Sequence, residues 1–326
     1  MRAAYYEKNG AARDVLAIAE VDTPKPGPGE VRVKLRTSGV NPSDVKAREG
    51  RTRKLSYPRV IPHSDGAGDI DMVGDGVPAS RKGERVWVWN GQWKRPFGTA
   101  ATYIALPSEQ AVRLPDGTTF EAGACLGIPA LTAHRAVTID GSPQGQSILV
   151  SGWAGAVGHY AIQFAKLLGA RPIIATVSSE EKAGHAKAAG ADEVINYKAD
   201  AVPDRVREIT GGRGVDRIVE VDIAGNATLV PKIIAQGGLC AAYGSNAAQA
   251  CFDFGPMILS GAAVRFFIVY ELSAAARERG VSDLTRWMEE GRVKHAIATK
   301  MPLERTTEAH ELLEQGKVIG NIVLEP

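Results

Sequence analysis

Cysteine is scarce in this chain. Its 326 residues include three cysteines, Cys125, Cys240 and Cys251, which are far apart in the sequence. An odd number of widely spaced cysteines excludes a disulfide framework and provides no zinc cluster. We therefore expect each of them to be a small core residue.

Long apolar runs and an excess of charge of one sign are also missing. No apolar stretch approaches the roughly 20 residues that span a bilayer. The opening MRAAYYEKNG carries charges where a signal peptide has an apolar core. The net charge is only +2, which gives no argument for nucleic acid or an anionic membrane as the main partner. The sequence predicts a cytoplasmic protein that binds neither.

Two patterns follow each other along the chain. Residues 1–123 contain short β-like runs broken by Pro and Gly, such as EVRVKLRTSGV and GERVWVW, which are typical of a mainly β module. From residue 124 apolar strands alternate with helical stretches, which indicates a doubly wound parallel sheet. The predicted strands are Ile148–Val150, Ile173–Val177, Glu193–Ile195, Arg217–Val221, Leu239–Tyr243 and Val264–Ile268. Beyond residue 270, two helical segments lead to a β-like end, Asn321–Leu324, which is expected to return to the N-terminal module.

A glycine-rich turn, SGWAGAVGHYAIQFAKLLGA (151–170), connects the first of these strands to a helix. Gly152, Gly155 and Gly158 are three residues apart, and an apolar stripe at helical spacing follows until Gly169. Such a turn lets the backbone and the helix N-terminus approach a pyrophosphate closely. The alternative is a tight strand–helix connection that binds no ligand.

The end of the second strand lacks an expected carboxylate. Dinucleotide-binding folds usually have an acid there, about 20 residues past the glycines, to hold the ribose hydroxyls. This chain has Ser178, with Lys182 one helical turn later. Both residues attract a 2′-phosphate, so the pattern favours NADPH over NADH. Ser178-x-x-Glu181 also fits a capping box, which needs no ligand.

Motifs along essentially the whole chain match one family. They are PGPGEVRVK (26–34), SGVNPSDVKAREG (38–50), HSDGAG (63–68), GERVW (83–87), IPALTAHRA (128–136), the glycine turn, ATVSSEEKA (175–183), GADEVINY (190–197) and GNIVL (320–324). Together they resemble the zinc-free, ζ-crystallin-like quinone oxidoreductases of the medium-chain dehydrogenase/reductase superfamily. The resemblance implies a GroES-like, mainly β catalytic domain formed by residues 1–123 and 270–326, with an inserted Rossmann domain at 124–269. In this family the cofactor and the substrate share the cleft between the two domains.

The resemblance also implies the residues that bind NADPH. It assigns Ser178, Lys182 and Tyr197 to the 2′-phosphate, and Ala154, Gly155, Ala156 and Val157 to the pyrophosphate. It assigns Asn41 and Thr132 to the nicotinamide end, Tyr243, Gly244 and Ser245 to the loop after the fifth strand, and the backbone of Phe267–Val269 to the carboxamide. Asn321 takes the position of a lysine that usually lies near the cleft.

Departures from the pattern of the zinc enzymes lead us to expect no metal. Asn41 stands where zinc-dependent relatives have a metal-binding cysteine, and their run of closely spaced cysteines is missing. His63 lies near the metal position of the superfamily, and we expect it to be a cleft or core histidine. Lys46 replaces a tyrosine that is frequent in the family.

The function expected from these features is hydride transfer from NADPH to a quinone. Asn41, Asp44 and Thr132 are expected to position the reactants rather than to act as strong acids. One alternative is reduction of an activated C=C bond in an enal, an enone or an enoyl thioester. Another is a structural or RNA-binding protein that binds the cofactor with little turnover, although the short basic run RTRK (51–54) gives that alternative little support.

Two further segments bear on the acceptor and on assembly. WVWNGQWKRPFG (87–98) is either a cap that stacks on a flat acceptor or a partly exposed loop anchored by its aromatic residues. AAVRFFIVY (262–270) predicts an apolar strand at the edge of the Rossmann sheet. Pairing of two such edges closes a homodimer, and the resemblance implies the same assembly.

Overall fold

The structure is a computed structural model that describes residues 1–51, 54–152, 155–316 and 318–326. Contacts within the chain divide it into two units, one formed by Met1–Pro129 with Val281–Pro326 and the other by Ala130–Gly280. The sequence predicts domain limits after residues 123 and 269, and the two units have theirs after Pro129 and Gly280. Among the described residues, no helix combines the length and the apolar character needed to cross a bilayer.

The first unit consists mainly of strands with short helices between them. Its N-terminal part contains β1 (Arg2–Tyr5), α1 (Ala12–Val15), β2 (Ala17–Glu20), β3 (Glu30–Val40), α2 (Pro42–Glu49), β4 (Asp65–Val73), β5 (Arg85–Val88), β6 (Tyr103–Pro107), β7 (Ala111–Arg113) and α3 (Phe120–Gly123). Short 3₁₀ turns cover Ala79–Arg81 and Ser108–Gln110, and a π-helical turn covers Leu126–Ala130.

The second unit alternates strands and helices. It contains α4 (Leu131–Thr138), β8 (Ile148–Val150), α5 (Ala156–Leu167), β9 (Ile173–Val177), α6 (Glu180–Ala189), β10 (Glu193–Asn196), α7 (Val202–Thr210), β11 (Val215–Glu220), α8 (Ile223–Asn226), α9 (Val230–Ile233), β12 (Ile234–Ala242), α10 (Phe254–Ser260) and β13 (Ala263–Phe266). Its strands are parallel and lie in the order β10-β9-β8-β11-β12-β13. This is the Rossmann order, in which ligands bind where the direction of winding reverses, here between β8 and β11.

The C-terminal segment returns to the first unit. A 3₁₀ turn at Val269–Glu271 leads to α11 (Ala274–Glu289), β14 (Ile297–Pro302), a 3₁₀ turn at Leu303–Arg305, α12 (Thr306–Glu314) and β15 (Asn321–Glu325). β15 pairs antiparallel with β3, with Ile322 opposite Val40, which confirms the predicted return of the chain end. The resulting sheet has the order β14-β15-β3-β4-β5-β7, with β6 also paired to β3. The predicted fold class, a Rossmann sheet inserted into a GroES-like domain, is confirmed.

The burial pattern explains why these segments take these forms. Val31, Val33 and Leu35 alternate with more exposed residues along β3, as a strand with one buried face requires. Tyr160 and Phe164 are four residues apart on α5 and fully buried, so that helix packs one apolar face against its unit. Gly169, with a φ of +81°, follows the helix end as predicted.

The predicted ends of some Rossmann strands and the predicted burial of one cysteine are wrong. The last Rossmann strand ends at Phe266 and not at Ile268, because the chain turns into the 3₁₀ turn at Val269–Glu271. β11 ends at Glu220, one residue before the predicted end, and β12 begins at Ile234, five residues early. Cys125 and Cys240 are buried as expected, whereas Cys251 is exposed because it lies in the loop between β12 and α10.

Candidate functional site

The glycine turn joins β8 to α5 in the second unit. Gly152 has a φ of +63°, and a Cβ atom on it would come within 2.7 Å of Val221. Gly155 is the N-cap of α5, and a Cβ atom there would meet no atom closer than 3.9 Å. The first position thus needs glycine for its backbone, and the second leaves open space beside the helix end, as a pyrophosphate requires.

The first turn of α5 is open to an anion. The N-cap residue, Gly155, has no side chain with which to cap the helix, and the first turn contains no acidic residue. The first N–H groups of a helix have no partner within the helix, so a ligand or solvent can bind those of this turn, and the helix dipole favours a negative ligand. Ala156 and Val157, two predicted contacts, begin this helix. Ala154, a third, lies outside the described residues together with Trp153.

The loops beside the glycine turn are held together by a buried carboxylate. Glu220, at the end of β11, accepts hydrogen bonds from Ser151 Oγ at 3.2 Å, Asn226 Nδ2 at 3.0 Å and Asp222 N at 2.6 Å. Burial raises the pKa of Glu220 despite these bonds. Because Ser151 precedes Gly152, Glu220 fixes the glycine turn at the point where β8 and β11 adjoin.

The predicted 2′-phosphate residues lie together at the end of β9. Lys182 Nζ donates to Ser178 Oγ at 3.1 Å, and Tyr197 N donates to Val177 O at 3.0 Å, which places Tyr197 next to Ser178 on the neighbouring strand end. The Tyr197 side chain is 51% exposed. The capping box predicted at Ser178 and Glu181 is wrong by one residue, because Ser179 is the N-cap and its Oγ accepts from Lys182 N. Ser178 therefore does not cap the helix, and its hydroxyl group accepts a hydrogen bond from the Lys182 ammonium group.

The loop after β12 packs tightly against the end of β11. Tyr243 N donates to Glu220 O at 3.1 Å, and a Cβ atom on Gly244 would come within 2.3 Å of Val221 O, so only glycine fits there. Ser245 Oγ donates to Ala247 O at 2.7 Å, which folds the loop back on itself. The three predicted contacts of this loop, Tyr243–Ser245, thus lie beside the winding reversal.

The segment predicted to meet the carboxamide lies beside that loop. The Phe267 and Tyr243 rings are 6.3 Å apart, and Phe267 N donates to Ala242 O at 3.2 Å. The carbonyl of Val269 accepts from the buried Arg277 guanidinium at 2.8 Å, so Arg277 fixes this backbone. Thr132, the remaining predicted contact of the second unit, lies in α4 and is 4% exposed.

Asn41 is the N-cap of α2 in the first unit. Its backbone N–H donates to Asp44 Oδ2 at 2.9 Å, and its side-chain Nδ2 donates to Asp65 Oδ2 at 2.9 Å. Asp44 therefore caps the helix, and Asp65 orients the amide. Burial raises the pKa of Asp65 well above its usual range, and the charge of Asp44 adds to that shift.

Asn321 and His63 are both held inside the first unit. Asn321 Nδ2 donates to Ala296 O at 2.9 Å, so its amide is engaged with the backbone. His63 is fully buried, with Nδ1 3.0 Å from Ser38 Oγ and Nε2 2.9 Å from Nε2 of His310. Burial lowers the pKa of His63 to about 3. Within the described ranges, no group of three or more His, Cys, Asp and Glu residues is arranged to hold a metal ion.

The tryptophan-rich segment is divided between the core and a loop. Trp87 belongs to β5 and is fully buried, so its predicted place in a surface loop is wrong. The following loop is hydrogen-bonded to residues 61–64, since Gly91 N donates to Ser64 O at 2.9 Å and Gly98 N donates to Ile61 O at 2.8 Å. These bonds make the loop a fixed wall of the first unit.

Two residues are missing from the sequence-based set. Asp65 orients Asn41, and Glu220 clamps the glycine turn. Each is an acid inside a run of small or apolar residues, HSDGAG and RIVEV. That pattern is the signal that identifies them, because an acid in a buried strand is retained only with partners.

Comparison with known proteins covers both units. Residues 27–116 match the alcohol dehydrogenase GroES-like domain family, and residues 156–287 match the family described as zinc-binding dehydrogenase. A quinone oxidoreductase of Pseudomonas aeruginosa is 32% identical, with 96% of each chain covered. The chain belongs to the quinone oxidoreductase branch of the medium-chain dehydrogenase/reductase superfamily.

Other relatives of this oxidoreductase differ in their reactions and cofactors. A 2-haloacrylate reductase of a Burkholderia species is 31% identical, covering 100% of this chain and 99% of its own. The structure of Escherichia coli quinone oxidoreductase complexed with NADPH has a TM-score of 0.89 at 26% identity, with 100% of both chains covered. The structure of an NAD-dependent alcohol dehydrogenase has a TM-score of 0.90 at 32% identity, also over 100% of both. The present chain is thus an oxidoreductase with an NAD(P)-binding Rossmann domain.

Proposed function

We propose that this chain is a zinc-independent NADPH:quinone reductase. The observation that supports NADPH is the pair of Lys182 and Ser178 at the end of β9, 3.1 Å apart, where a ribose-binding acid is usual. Two hydrogen-bond donors there suit the 2′-phosphate of NADPH, whereas the 2′-hydroxyl of NADH gains less from a lysine. Tyr197 lies beside them and offers an exposed ring and hydroxyl.

The rest of the nucleotide fits the second unit as well. The open space beside Gly155 and the uncapped first turn of α5 suit the pyrophosphate. The part of the cofactor between the pyrophosphate and the nicotinamide contacts two segments in this proposal. They are Tyr243–Ser245 and Phe267–Val269. In this region Gly244 lets the backbone pack closely, and backbone hydrogen bonds from Tyr243 N and Phe267 N fix its position.

The chemistry requires few protein groups. When bound, NADPH supplies a hydride, which carries two electrons, and a proton from water completes the reduction of a quinone to a hydroquinone. Asn41, held by Asp65, orients the acceptor or the nicotinamide through its amide, and Thr132 contributes a hydroxyl. Asp44 acts through the helix cap that fixes Asn41. These residues bind and orient, and they need not exchange a proton with the substrate.

Zinc independence follows from the donor set around Asn41. An amide engaged with Asp65 replaces a thiolate, and His63 is turned toward Ser38 and His310. Zinc prefers Cys and His ligands in tetrahedral arrangement, and these residues do not provide one. We therefore expect full activity after treatment with a chelator.

Reduction of activated C=C bonds is the second candidate. The identity of 31% with a 2-haloacrylate reductase, over the whole chain, favours it. The chemistry is closely related, since hydride is added to an electron-poor carbon and a proton from water completes the saturated product. Quinone and alkene acceptors therefore compete for the same proposed site.

We also propose a homodimer formed through the edge of the Rossmann sheet. β13 is the edge strand, and Phe266 on it is 66% exposed. Phe254 and Leu259 of α10, the helix that precedes this strand, are 78% and 79% exposed. An apolar edge with exposed apolar neighbours is a surface that pairing with a second copy covers.

The decisive experiment is a spectrophotometric screen of NADPH oxidation. Quinones, enones, enals and enoyl thioesters are each offered with NADPH or NADH, with and without a chelator. We expect rapid oxidation of NADPH by quinones that the chelator does not change. Absence of turnover with every acceptor contradicts the proposal and leaves the alternative of a cofactor-binding protein with little turnover.

A further inference from the structure

A chain of four polar side chains runs through the interior of the first unit and ends beside Asn41. Its members are His310 of α12, His63, Ser38 of β3 and Thr99, and neighbouring members are 2.9 or 3.0 Å apart. Thr99 Oγ1 then donates to the backbone carbonyl of Asp65 at 2.6 Å. All four side chains are fully buried. Polar groups are stable at such depth only when hydrogen bonds satisfy them, so the direction of each bond matters.

The last acceptor fixes the direction of every hydrogen bond in this chain. A carbonyl oxygen only accepts, so the single hydroxyl proton of Thr99 lies on the bond to Asp65. Ser38 must then donate to Thr99, which leaves His63 Nδ1 to donate to Ser38. A neutral His63 therefore has no proton on Nε2, and that atom accepts from Nε2 of His310. Counting the protons thus assigns the Nδ1–H tautomer to His63 and the Nε2–H tautomer to His310.

The far end of the chain agrees with this direction. Nδ1 of His310 has no hydrogen-bond partner among the described residues. In the assigned direction that atom is a lone pair, whereas the reverse direction would make it a buried N–H group without an acceptor, which is the rarer defect. Burial lowers the pKa of His63 to about 3 and that of His310 well below its usual range, so both rings are neutral at pH 7.

The backbone of His63 gives a separate reason to ask what its ring does. Its φ is +74°, in the left-handed region that residues with a Cβ atom seldom adopt. Glycine takes this conformation without strain. A strained conformation persists where the surrounding structure fixes it, and such positions concentrate at functional sites. A side chain at position 63 is therefore favoured by its interactions and not by its backbone.

The chain reaches both partners of the hydrogen bond that orients Asn41. Asp65 Oδ2 accepts from Asn41 Nδ2 at 2.9 Å and from Ile128 N at 3.0 Å. Thr99 holds the backbone of this same Asp65. Ser38 lies on β3, three residues before Asn41. The chain therefore fixes both the strand that leads to the amide and the residue that accepts its hydrogen bond.

We propose that the four members of this chain are positioning residues for Asn41. They hold its amide in one orientation, and they act through Asp65 rather than on the reactants themselves. A displacement of about 1 Å in such an alignment can lower a rate by a factor on the order of 100. This inference rests on the proposed reductase function, in which Asn41 orients the acceptor or the nicotinamide.

Two substitutions of Thr99 separate its hydroxyl group from its shape. Thr99→Val keeps the shape and removes the hydroxyl, whereas Thr99→Ser keeps the hydroxyl. We expect kcat for quinone reduction to fall about tenfold in Thr99→Val and less than about twofold in Thr99→Ser, with the Kd for NADPH unchanged in both. The same kcat in the two variants overturns the positioning role.

Thr37→Val is the matched control for the loss of a buried hydroxyl. Thr37 is 3% exposed on β3, and its Oγ1 also donates to a backbone carbonyl, that of Phe120 at 2.7 Å. It is not a member of the chain, so we expect Thr37→Val to retain the wild-type kcat. Equal losses of kcat in Thr37→Val and Thr99→Val overturn the proposal, because they would show a general effect of the lost hydroxyl on the sheet.

Two structural measurements decide the inference without turnover. Neutron diffraction from wild-type crystals should show deuterium on Nδ1 of His63 and on Nε2 of His310, and deuterium on Nε2 of His63 overturns the assigned chain. A crystal structure of Thr99→Val should show the Asn41 amide displaced or in two conformers, and an unchanged amide overturns the positioning role. If NADPH reduces no acceptor, the proposed function fails, and these two measurements still decide the chain.

Discussion

Asn41 and Asp65 form a buried pair in which Asn41 Nδ2 donates to Asp65 Oδ2 across 2.9 Å. The same oxygen accepts the backbone N–H of Ile128 at 3.0 Å, whereas Oδ1 has no hydrogen-bond partner among the residues that the structure describes. Asp65 is fully buried, and burial followed by the charge of Asp44 raises its pKa well above the usual range. The pair therefore combines an amide that is fixed in place with an acid that favours its neutral form.

The ionisation of Asp65 predicts a specific dependence of stability on pH. Because its pKa is raised on folding, the folded state binds this proton more tightly than the unfolded state. This tighter proton binding stabilises the folded state fully below the unfolded pKa of about 4, and the stabilisation is lost as pH rises through the folded pKa. Asp65→Asn cannot ionise, so we expect its free energy of unfolding to rise relative to that of the wild type as pH increases. Urea unfolding at a series of pH values measures this difference, and a difference that is constant or declines contradicts the prediction.

Removal of the Asp65 side chain should affect catalysis through Asn41. Asp65→Ala leaves the Asn41 amide without its acceptor, so we expect kcat to fall about tenfold or more while the Kd for NADPH changes little. Asp71→Ala, on the same strand but paired with Arg32 at the surface, is the matched control and should retain kcat. Equal losses in the two variants would indicate a general effect on the strand rather than a role for the pair.

His63 predicts the opposite dependence on pH. Its pKa is about 3 in the folded protein, below the unfolded value of about 6.5, because burial disfavours the imidazolium form. The unfolded state thus binds this proton more tightly, and stability is lost as pH falls from about 6.5 toward 3. His63→Asn keeps a side chain that tolerates a φ of +74° and removes the titration, so its stability should fall less steeply in acid. His185 is exposed, so the free energy of unfolding of His185→Asn should depend on pH as that of the wild type does. If the free energy of unfolding of His63→Asn also parallels that of the wild type, the burial of His63 does not cause the loss of stability in acid.

The sequence predicts the Rossmann half of this chain well for a physical reason. Its central strands β8 and β9 are buried on both faces, so they appear as short apolar runs, and they have the predicted limits. Where packing rather than composition ends a strand, as at Phe266, the predicted limit is wrong. The segment WVWNGQWKRPFG is interpreted as a loop from its tryptophans and cations, yet its first residue, Trp87, lies in β5, where Val86, Trp87 and Val88 are all fully buried.

The candidate site is predicted less completely because its anchors are not adjacent in sequence. The serine at the end of β9 is readable from spacing, but the choice between Ser178 and Ser179 as the helix cap depends on backbone angles. Asp65 is 24 residues from Asn41, and only the pairing of β3 with β4 brings their segments together. The spacing of the glycines identifies their turn. Glu220 stands out only as an acid in an apolar run, and nothing in the sequence connects it with Ser151, 69 residues earlier.

Trp87 and Trp93 should affect different properties, the first stability and the second acceptor binding. Trp87 is fully buried, so Trp87→Ala should lower the free energy of unfolding by about 3–5 kcal/mol. Trp93 lines a cavity of about 220 Å³ that Ala47 of α2 also lines, so Trp93→Ala should raise KM for aromatic acceptors and leave the Kd for NADPH unchanged. Steady-state kinetics and fluorescence titration of NADPH separate these effects. Weaker NADPH binding in Trp93→Ala would show that the loop is a structural strut.

The proposed dimer predicts a mass of two chains in light scattering at micromolar concentration. Leu259 is 79% exposed on α10, so Leu259→Asp should place a charge in the interface and give the mass of one chain. Phe97, which is 50% exposed in the first unit, provides the control, since Phe97→Asp adds the same charge to a residue that belongs to neither α10 nor β13. A wild type with the mass of one chain refutes the dimer, and dissociation by both variants alike refutes the surface.

Cofactor preference should depend on Lys182 and Ser178. A charge-assisted hydrogen bond from Lys182 to the 2′-phosphate contributes roughly 1.5–3 kcal/mol, which corresponds to a ten- to hundredfold preference. Lys182→Ala should therefore weaken NADPH binding by about that factor and hardly change NADH binding, because NADH has no phosphate to lose. Lys187 is an exposed lysine further along α6. Lys187→Ala tests whether any positive charge on that helix suffices, and we expect it to leave the affinity for NADPH unchanged. Adding Ser178→Asp to Lys182→Ala should invert the preference, since a carboxylate repels the phosphate and accepts the ribose hydroxyl. Fluorescence titration of the wild type and the three variants with both nucleotides measures the eight dissociation constants. A wild type that binds them equally, with Lys182→Ala indistinguishable from it, would mean that the Lys182–Ser178 bond only stabilises the start of α6.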